Sequence, residues 1–284
     1  MRVVIAEDLA LLREGLVALT RTATLFGQDQ RVVTEDQAYA MFVRIGASAL
    51  DLSPLSMLPP AGQCNGLTGD FHADLESLAS FPSMAGVLKG KELDAGAVIT
   101  LNGAGTSRRV PRSRGSLGSY WSVLGVNNPS LPRAPALFFS DADFSIGSLG
   151  GQDVEAFSRN WPGPGSIEWI NRDRFTTIDR ARSATFLWHS PVPDAIIIMA
   201  MLAVDDQTAA GAICFCTARG DAGRLVIPAE MLAHFPATRG TPANPGTSML
   251  IAVRRRVETQ PAIRGLDGMV LVSAFASVRR SSYR

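Results

Sequence analysis

Lysine is nearly missing from this chain of 284 residues: of its 27 basic side chains only Lys89 and Lys91 are lysine, and the rest are arginine. Arginine is the better residue for planar recognition of carboxylate or phosphate. Here, however, the arginines are scattered along the whole chain beside abundant alanine and glycine, so they read as a composition bias. An excess of either sign of charge is lacking too. A formal net charge of +1 gives no electrostatic reason to expect nucleic acid or an anionic membrane as partner. No apolar run is long: the longest, 195–204, falls far short of the ~20 residues that a spanning helix needs. Nor does the start carry the uninterrupted apolar stretch of a signal peptide, because Glu7 and Asp8 stand where it should run.

Catalytic signatures are equally scarce. There is no Gly-x-Ser-x-Gly elbow, and pairs such as Gly115-Ser116 and Gly147-Ser148 are ordinary turn chemistry. No Gly-x-x-x-x-Gly-Lys loop exists to cradle a phosphate. His72, His189 and His234 are isolated, and the cysteine spacing matches no structural zinc pattern. The sequence therefore nominates no catalytic residue and no cofactor.

What is present is a globular composition, 46% hydrophobic and 19% charged, in a chain long enough for two ordinary domains or one large one. The three cysteines are Cys64, Cys214 and Cys216. If Cys214 and Cys216 lie on one strand they share a face, because strand side chains alternate. Three thiols permit one disulfide with one left over, and Cys64 is placed to staple an early loop to a late strand. Three small buried hydrophobes is the competing reading. The acidic pairs Asp141/Asp143 and Asp205/Asp206 supply hard oxygen ligands suited to calcium, although solvated turns and edge protection explain them more simply. Arg254-Arg-Arg256 and Arg279-Arg280 read as solvated edges.

Along the chain, residues 2–6 have a buried-strand pattern, and Leu9, Leu12, Leu16 and Leu19 recur at helical spacing after Asp8. Strand, acidic pair, then helix resembles the opening of a bacterial response-regulator receiver domain. That resemblance implies magnesium held beside a phosphorylatable aspartate, but no matching aspartate and lysine follow. Residues 1–30 are thus expected to be a receiver-like remnant. From residue 31 onward, short β-prone runs alternate with Gly, Pro, Ser and Asn. They include 39–45, 97–101, 120–124, 136–139, 143–146 and 154–157. After the linker-like Trp161-Pro-Gly-Pro-Gly come 167–170, 184–188, 195–204, 212–217, 224–227, 249–256 and 269–278. The run 195–204 is apolar on both faces and should be central. The pattern predicts an all-β protein of two immunoglobulin-like β-sandwich domains, 31–163 and 164–284.

The set Asp143-Phe-Ser-Ile, Gly150-Gly-Gln-Asp-Val-Glu-Ala-Phe, Ile167-Glu-Trp-Ile-Asn-Arg-Asp, Thr176-Thr-Ile-Asp-Arg, Ala184-Thr-Phe-Leu-Trp and Gly223-Arg-Leu-Val-Ile-Pro resembles an uncharacterised bacterial β-sandwich family. The resemblance runs over about 37–284. It implies a secreted or surface location and no catalytic residues, while the chain itself lacks the signal peptide that location requires. Trp169 and Trp188 are expected as buried plugs between sheets, and Asn171, Asp173 and Asp179 as turn residues. The function expected from these residues is a non-catalytic interaction or surface-structural module, with a protein or carbohydrate partner. The alternatives are a carbohydrate-active or hydrolytic enzyme on the same scaffold and a regulatory protein with a truncated receiver segment.

Overall fold

The structure is a computed structural model that describes residues 12–26, 31–45, 58–70, 90–103, 105–128, 130, 134–139, 143–161, 167–190, 192–205, 208, 210–238, 246–259 and 261–284. It is all-β and sandwich-like. The strands are β1 (Leu12–Phe26), β2 (Arg31–Ile45), β3 (Cys64–Asp70), β4 (Gly90–Glu92), β5 (Val98–Gly103), β6 (Thr106–Pro111), β7 (Ser119–Asn127), β8 (Phe144–Ser148) and β9 (Phe157–Trp161). They continue as β10 (Glu168–Trp169), β11 (Thr177–Ile178), β12 (Ala184–His189), β13 (Ile196–Val204), β14 (Ala210–Arg219), β15 (Arg224–Ile227), β16 (Gly246–Thr259) and β17 (Gly268–Tyr283). Among the described residues there is one short α-helix, α1 (Ala229–Leu232), which follows Pro228, and there are two 3-10 turns, Arg172–Thr176 and Gly220–Ala222.

A ten-stranded sheet runs β3-β14-β13-β16-β17-β1-β2-β4, with β7 also on β2 and β11 also on β17. Among the described residues two smaller sheets, β6-β5-β8-β9 and β10-β12-β15, accompany it. The expected boundary near residue 163 falls between the two small sheets. The large sheet, by contrast, draws strands from all three of the segments 1–30, 31–163 and 164–284, so the two expected sandwiches share a layer.

The first segment requires a correction. Residues 12–26 form a strand rather than the helix expected from the leucine spacing. Thr20, Thr22 and Thr24 together with Val17 favour extended backbone. Both edges of β1 are also occupied, antiparallel to β2 (Leu12↔Ile45 to Phe26↔Arg31) and parallel to β17 (Glu14↔Gly268 to Leu25↔Arg279). Tertiary pairing overrides a helical period in a way the local sequence does not reveal. The acidic pair Glu7-Asp8 lies outside the described residues.

Two cores fill the space between the layers. The first lies between β2, β7 and the start of β17 on one side and the four-stranded sheet on the other, and contains Phe42, Ile99, Leu101, Tyr120, Leu124, Ile146 and Leu271. Polar bonds close it. The Oδ2 atom of the buried Asp36 accepts the backbone N–H groups of Phe138 (2.7 Å) and Phe139 (2.9 Å), at a bulge between β2 and β7. This is why 136–139, expected as a strand, is not one: its amides serve a carboxylate instead of a ladder. The Gly96 carbonyl accepts from the Tyr120 hydroxyl (2.7 Å) and from Arg112 Nη2 (2.7 Å), and Arg112 also pairs with Asp94. Gly96 sits at φ +106°, and a Cβ there would lie 2.6 Å from the Gly150 carbonyl oxygen, so both the backbone conformation and the space demand glycine.

The second core lies between β13, β14, β16 and the end of β17 on one side and the three-stranded sheet with α1 on the other. Strand β13 is central, between β14 and β16, as apolarity on both faces requires. Its odd-numbered residues Ile197, Met199 and Met201 enter this core, whereas Ile198 packs on the opposite face. Trp169 stacks on Phe186 and Phe175 packs at a tilt against both, with ring centroids 4.2–5.0 Å apart. Trp188 is buried, and its indole N–H donates to the Gly220 carbonyl at 3.0 Å. Asn171 bridges β10 and β12: its side-chain N–H donates to Thr185 O (2.7 Å) and its Oδ1 accepts Leu187 N–H (3.0 Å). Arg279, expected on a solvated edge, is buried instead, with Nη1 3.7 Å from the Asp173 carboxylate and Nη2 bonded to Thr176.

Candidate functional site

Strand β14 alternates strictly at its centre, so Ala212, Cys214, Cys216 and Ala218 all face the second core. Its outer neighbour β3 pairs antiparallel from Cys64↔Cys216 to Asp70↔Ala210. The Thr217 amide donates to the Gln63 carbonyl at 3.1 Å, which makes Cys64 and Cys216 a non-hydrogen-bonded pair, the closer of the two antiparallel kinds. They are joined as a disulfide.

Cys214 is a free, buried thiol. Its Sγ lies 3.6 Å from Cys216 Sγ and 2.9 Å from the thioether of Met231, which reaches over from α1. Burial pushes the Cys214 thiol up to about 12, so it is held neutral. The three cysteine sulfurs lie within 4.8 Å of one another, and among the described residues no other group of three or more His, Cys, Asp or Glu could hold a metal ion. The sequence offered one disulfide with one thiol left over, Cys64 stapling an early loop to a late strand, but not the gathering of all three sulfurs beside Met231. The period-two pair Cys214/Cys216 was a visible signal, but Cys64 joins from 152 residues away on a strand with almost no apolar pattern.

That strand ends the large sheet. By alternation, Asn65, Leu67 and Gly69 turn their backbone groups towards β14, and Gly66 and Thr68 turn theirs outward. Asn65 to Gly69 are all exposed, Leu67 at 51%. Beside the strand lies an open depression of about 480 Å³ lined by Thr68, Gly69, Thr208, Ala210, Gly211, His234 and Pro236. A second, of about 290 Å³, is lined by Ile170, Asn171, Asp173, Arg174 and Leu187. Neither holds a pair of facing carboxylates.

The structure does not bring the calcium candidates together among the described residues. Asp143 is exposed ahead of β8, and Asp205 closes the end of β13, its carboxylate accepting Thr208 N–H at 3.3 Å. Asp141 and Asp206 lie outside the described residues.

A third polar cluster organises the edge at β4. Burial alone would raise Glu92, but hydrogen bonds outweigh it and hold the carboxyl below the usual glutamate range. The donors include the Ser116 hydroxyl (2.6 Å), the Leu117 amide (2.7 Å) and the Ser119 hydroxyl (3.2 Å). This pins the turn before β7, whose Trp121 and Val123 are exposed on the outer face.

No family model matches the chain, and neither does any curated protein. Solved structures that are similar at low level include two of one yeast domain. One is the yeast delta-COP-I mu-homology domain complexed with a Dsl1 WxWxV peptide, at 10% identity and TM-score 0.28, covering 95% of this chain and 97% of that one. The other is the same yeast domain alone, at 10% identity and TM-score 0.27, covering 95% and 96%. At such scores the likeness carries no argument. The all-β assignment stands on the strands themselves.

Proposed function

We propose that this chain is a non-catalytic interaction module that takes an extended segment of a partner protein as an added strand on β3. The observation that carries this reading is the exposed sheet edge itself. β3 presents the outward backbone groups of Gly66 and Thr68, and it carries no lysine or proline, its one charge being Asp70 at the last position. Strand addition draws its affinity from main-chain hydrogen bonds and its specificity from neighbouring side-chain pockets. The depression at Thr68 and Gly69 is placed to supply the second. The Cys64–Cys216 staple fits an oxidising compartment, in keeping with a surface or secreted location.

The test is Thr68→Pro, which removes one outward amide and leaves the ladder to β14 intact. Short extended peptides selected on the wild-type protein from a random display library should bind the variant about tenfold more weakly, the equivalent of ~1.4 kcal/mol for a lost hydrogen bond. Equal affinity for both proteins, or no peptide selected at all, would overturn the reading.

A further inference from the structure

Four sulfur atoms meet on the inner side of the β3–β14 edge. Cys64 and Cys216 are bonded, Cys214 lies 3.6 Å from Cys216, and Met231 lies 2.9 Å from Cys214. Gly66, which pairs with Cys214, leaves room for this: a Cβ at Gly66 would already be in contact with Met231 Cγ at 3.8 Å, so a larger side chain would compete with the thioether. A buried hydrophobic role explains one cysteine, and a staple explains two. Neither explains a thioether turned onto the third thiol beside the staple.

We propose that, once the Cys64–Cys216 disulfide is reduced, the sulfurs of Cys64, Cys214, Cys216 and Met231 form a site for a soft monovalent cation, Cu(I). The donor set selects the ion. Thiolate and thioether ligands favour Cu(I), whereas zinc sites are completed by cysteine, histidine or carboxylate. Among the described residues no histidine or carboxylate joins the three cysteines.

The chemistry balances with a dithiol as reductant. Its thiolate attacks Cys64 Sγ, which is half-buried on the edge strand and so the reachable sulfur, and Cys216 leaves as thiolate. The second thiol of the reductant then releases Cys64, and the reductant departs as a disulfide. Two electrons and two protons have passed to the protein. Cu(I) then displaces protons from the thiols it binds.

The experiment reduces the full chain with a dithiol, removes the reductant anaerobically and titrates the protein against a chromogenic Cu(I) chelator. The expected result is one Cu(I) withdrawn per chain by the reduced protein and none by the oxidised protein. Cys214→Ser should weaken binding about 100-fold and Met231→Leu about tenfold. Near-UV circular dichroism of the oxidised Met231→Leu protein checks that its core is intact. Failure of the reduced wild type to take copper would overturn the proposal. So would equal copper binding by wild type, Cys214→Ser and Met231→Leu, which is the behaviour of unspecific thiols in an unfolded chain.

Discussion

Both cores pair aromatic rings, Phe42 with Tyr120 in the first and Trp169 with Phe186 in the second, but the first is closed at a buried carboxylate and the second is stapled by a disulfide. In the first, Asp36 holds two amides and the Gly96 carbonyl gathers Tyr120 and Arg112. In the second, Trp169 stacks on Phe186 with Phe175 tilted against them, and a disulfide ties the sheet edge. Both serve one continuous sheet, since β17 gives Met269 and Leu271 to the first core and Tyr283 to the second. The difference teaches that the two halves should answer to different perturbations, acid and polar deletion in one case and reduction in the other.

The largest effect should come from the staple. Replacing Cys64 and Cys216 by alanine removes a cross-link between residues 152 apart and should cost about 4 kcal/mol in denaturant unfolding. Hydrogen exchange should rise first in peptides from β3 and β14. An equal rise in β5 and β8 would erase the distinction between the cores.

Next comes Asp36→Ala, which strands the Phe138 and Phe139 amides and should cost about 2–3 kcal/mol, against far less for Asp36→Asn, which keeps an acceptor. Chemical denaturation of the pair checks this. Similar losses for both variants would mean that charge, rather than amide satisfaction, matters at this site.

The smallest effect is at Glu92. Its carboxyl is held low in the folded state, so its contribution is present above the ordinary glutamate range and is lost as pH falls through the folded value. Because the group is only partly buried and solvent screens it, the loss should stay below about 1 kcal/mol. Glu92→Gln should flatten that part of the stability-against-pH curve, and an unchanged acid limb would assign it to other carboxylates.

Much of the second half was legible in the sequence because its strands are buried and say so. The run 224–227 matches β15 residue for residue, and 184–188 and 195–204 differ from β12 and β13 by a single residue at one end. Trp169 and Trp188 could be read as core residues from size alone. The strands that escaped notice lack an apolar signal. β6 is Thr-Ser-Arg-Arg-Val-Pro with only Val110 buried, and β3 is an exposed edge rich in glycine. β1 failed for the opposite reason: its leucines suit a helix, and its threonines and its partners, one of them more than 250 residues away in sequence, make it a strand. The sulfur site was half legible for the same reason, since pairing between distant segments leaves no trace in local pattern.

The parallel pairing of β1 with β17 bears on the order in which the chain can mature during synthesis. β1 can zip to β2 as soon as both have left the ribosome, but its other edge has no mate until residues 268–279 emerge. From the emergence of β1 until that of β17 a long strand therefore waits with one side bare, and contacts of such high sequence separation form slowly. A nascent chain stalled before residue 268 should be the species most in need of a chaperone, and the most prone to pair with its neighbours on the polysome.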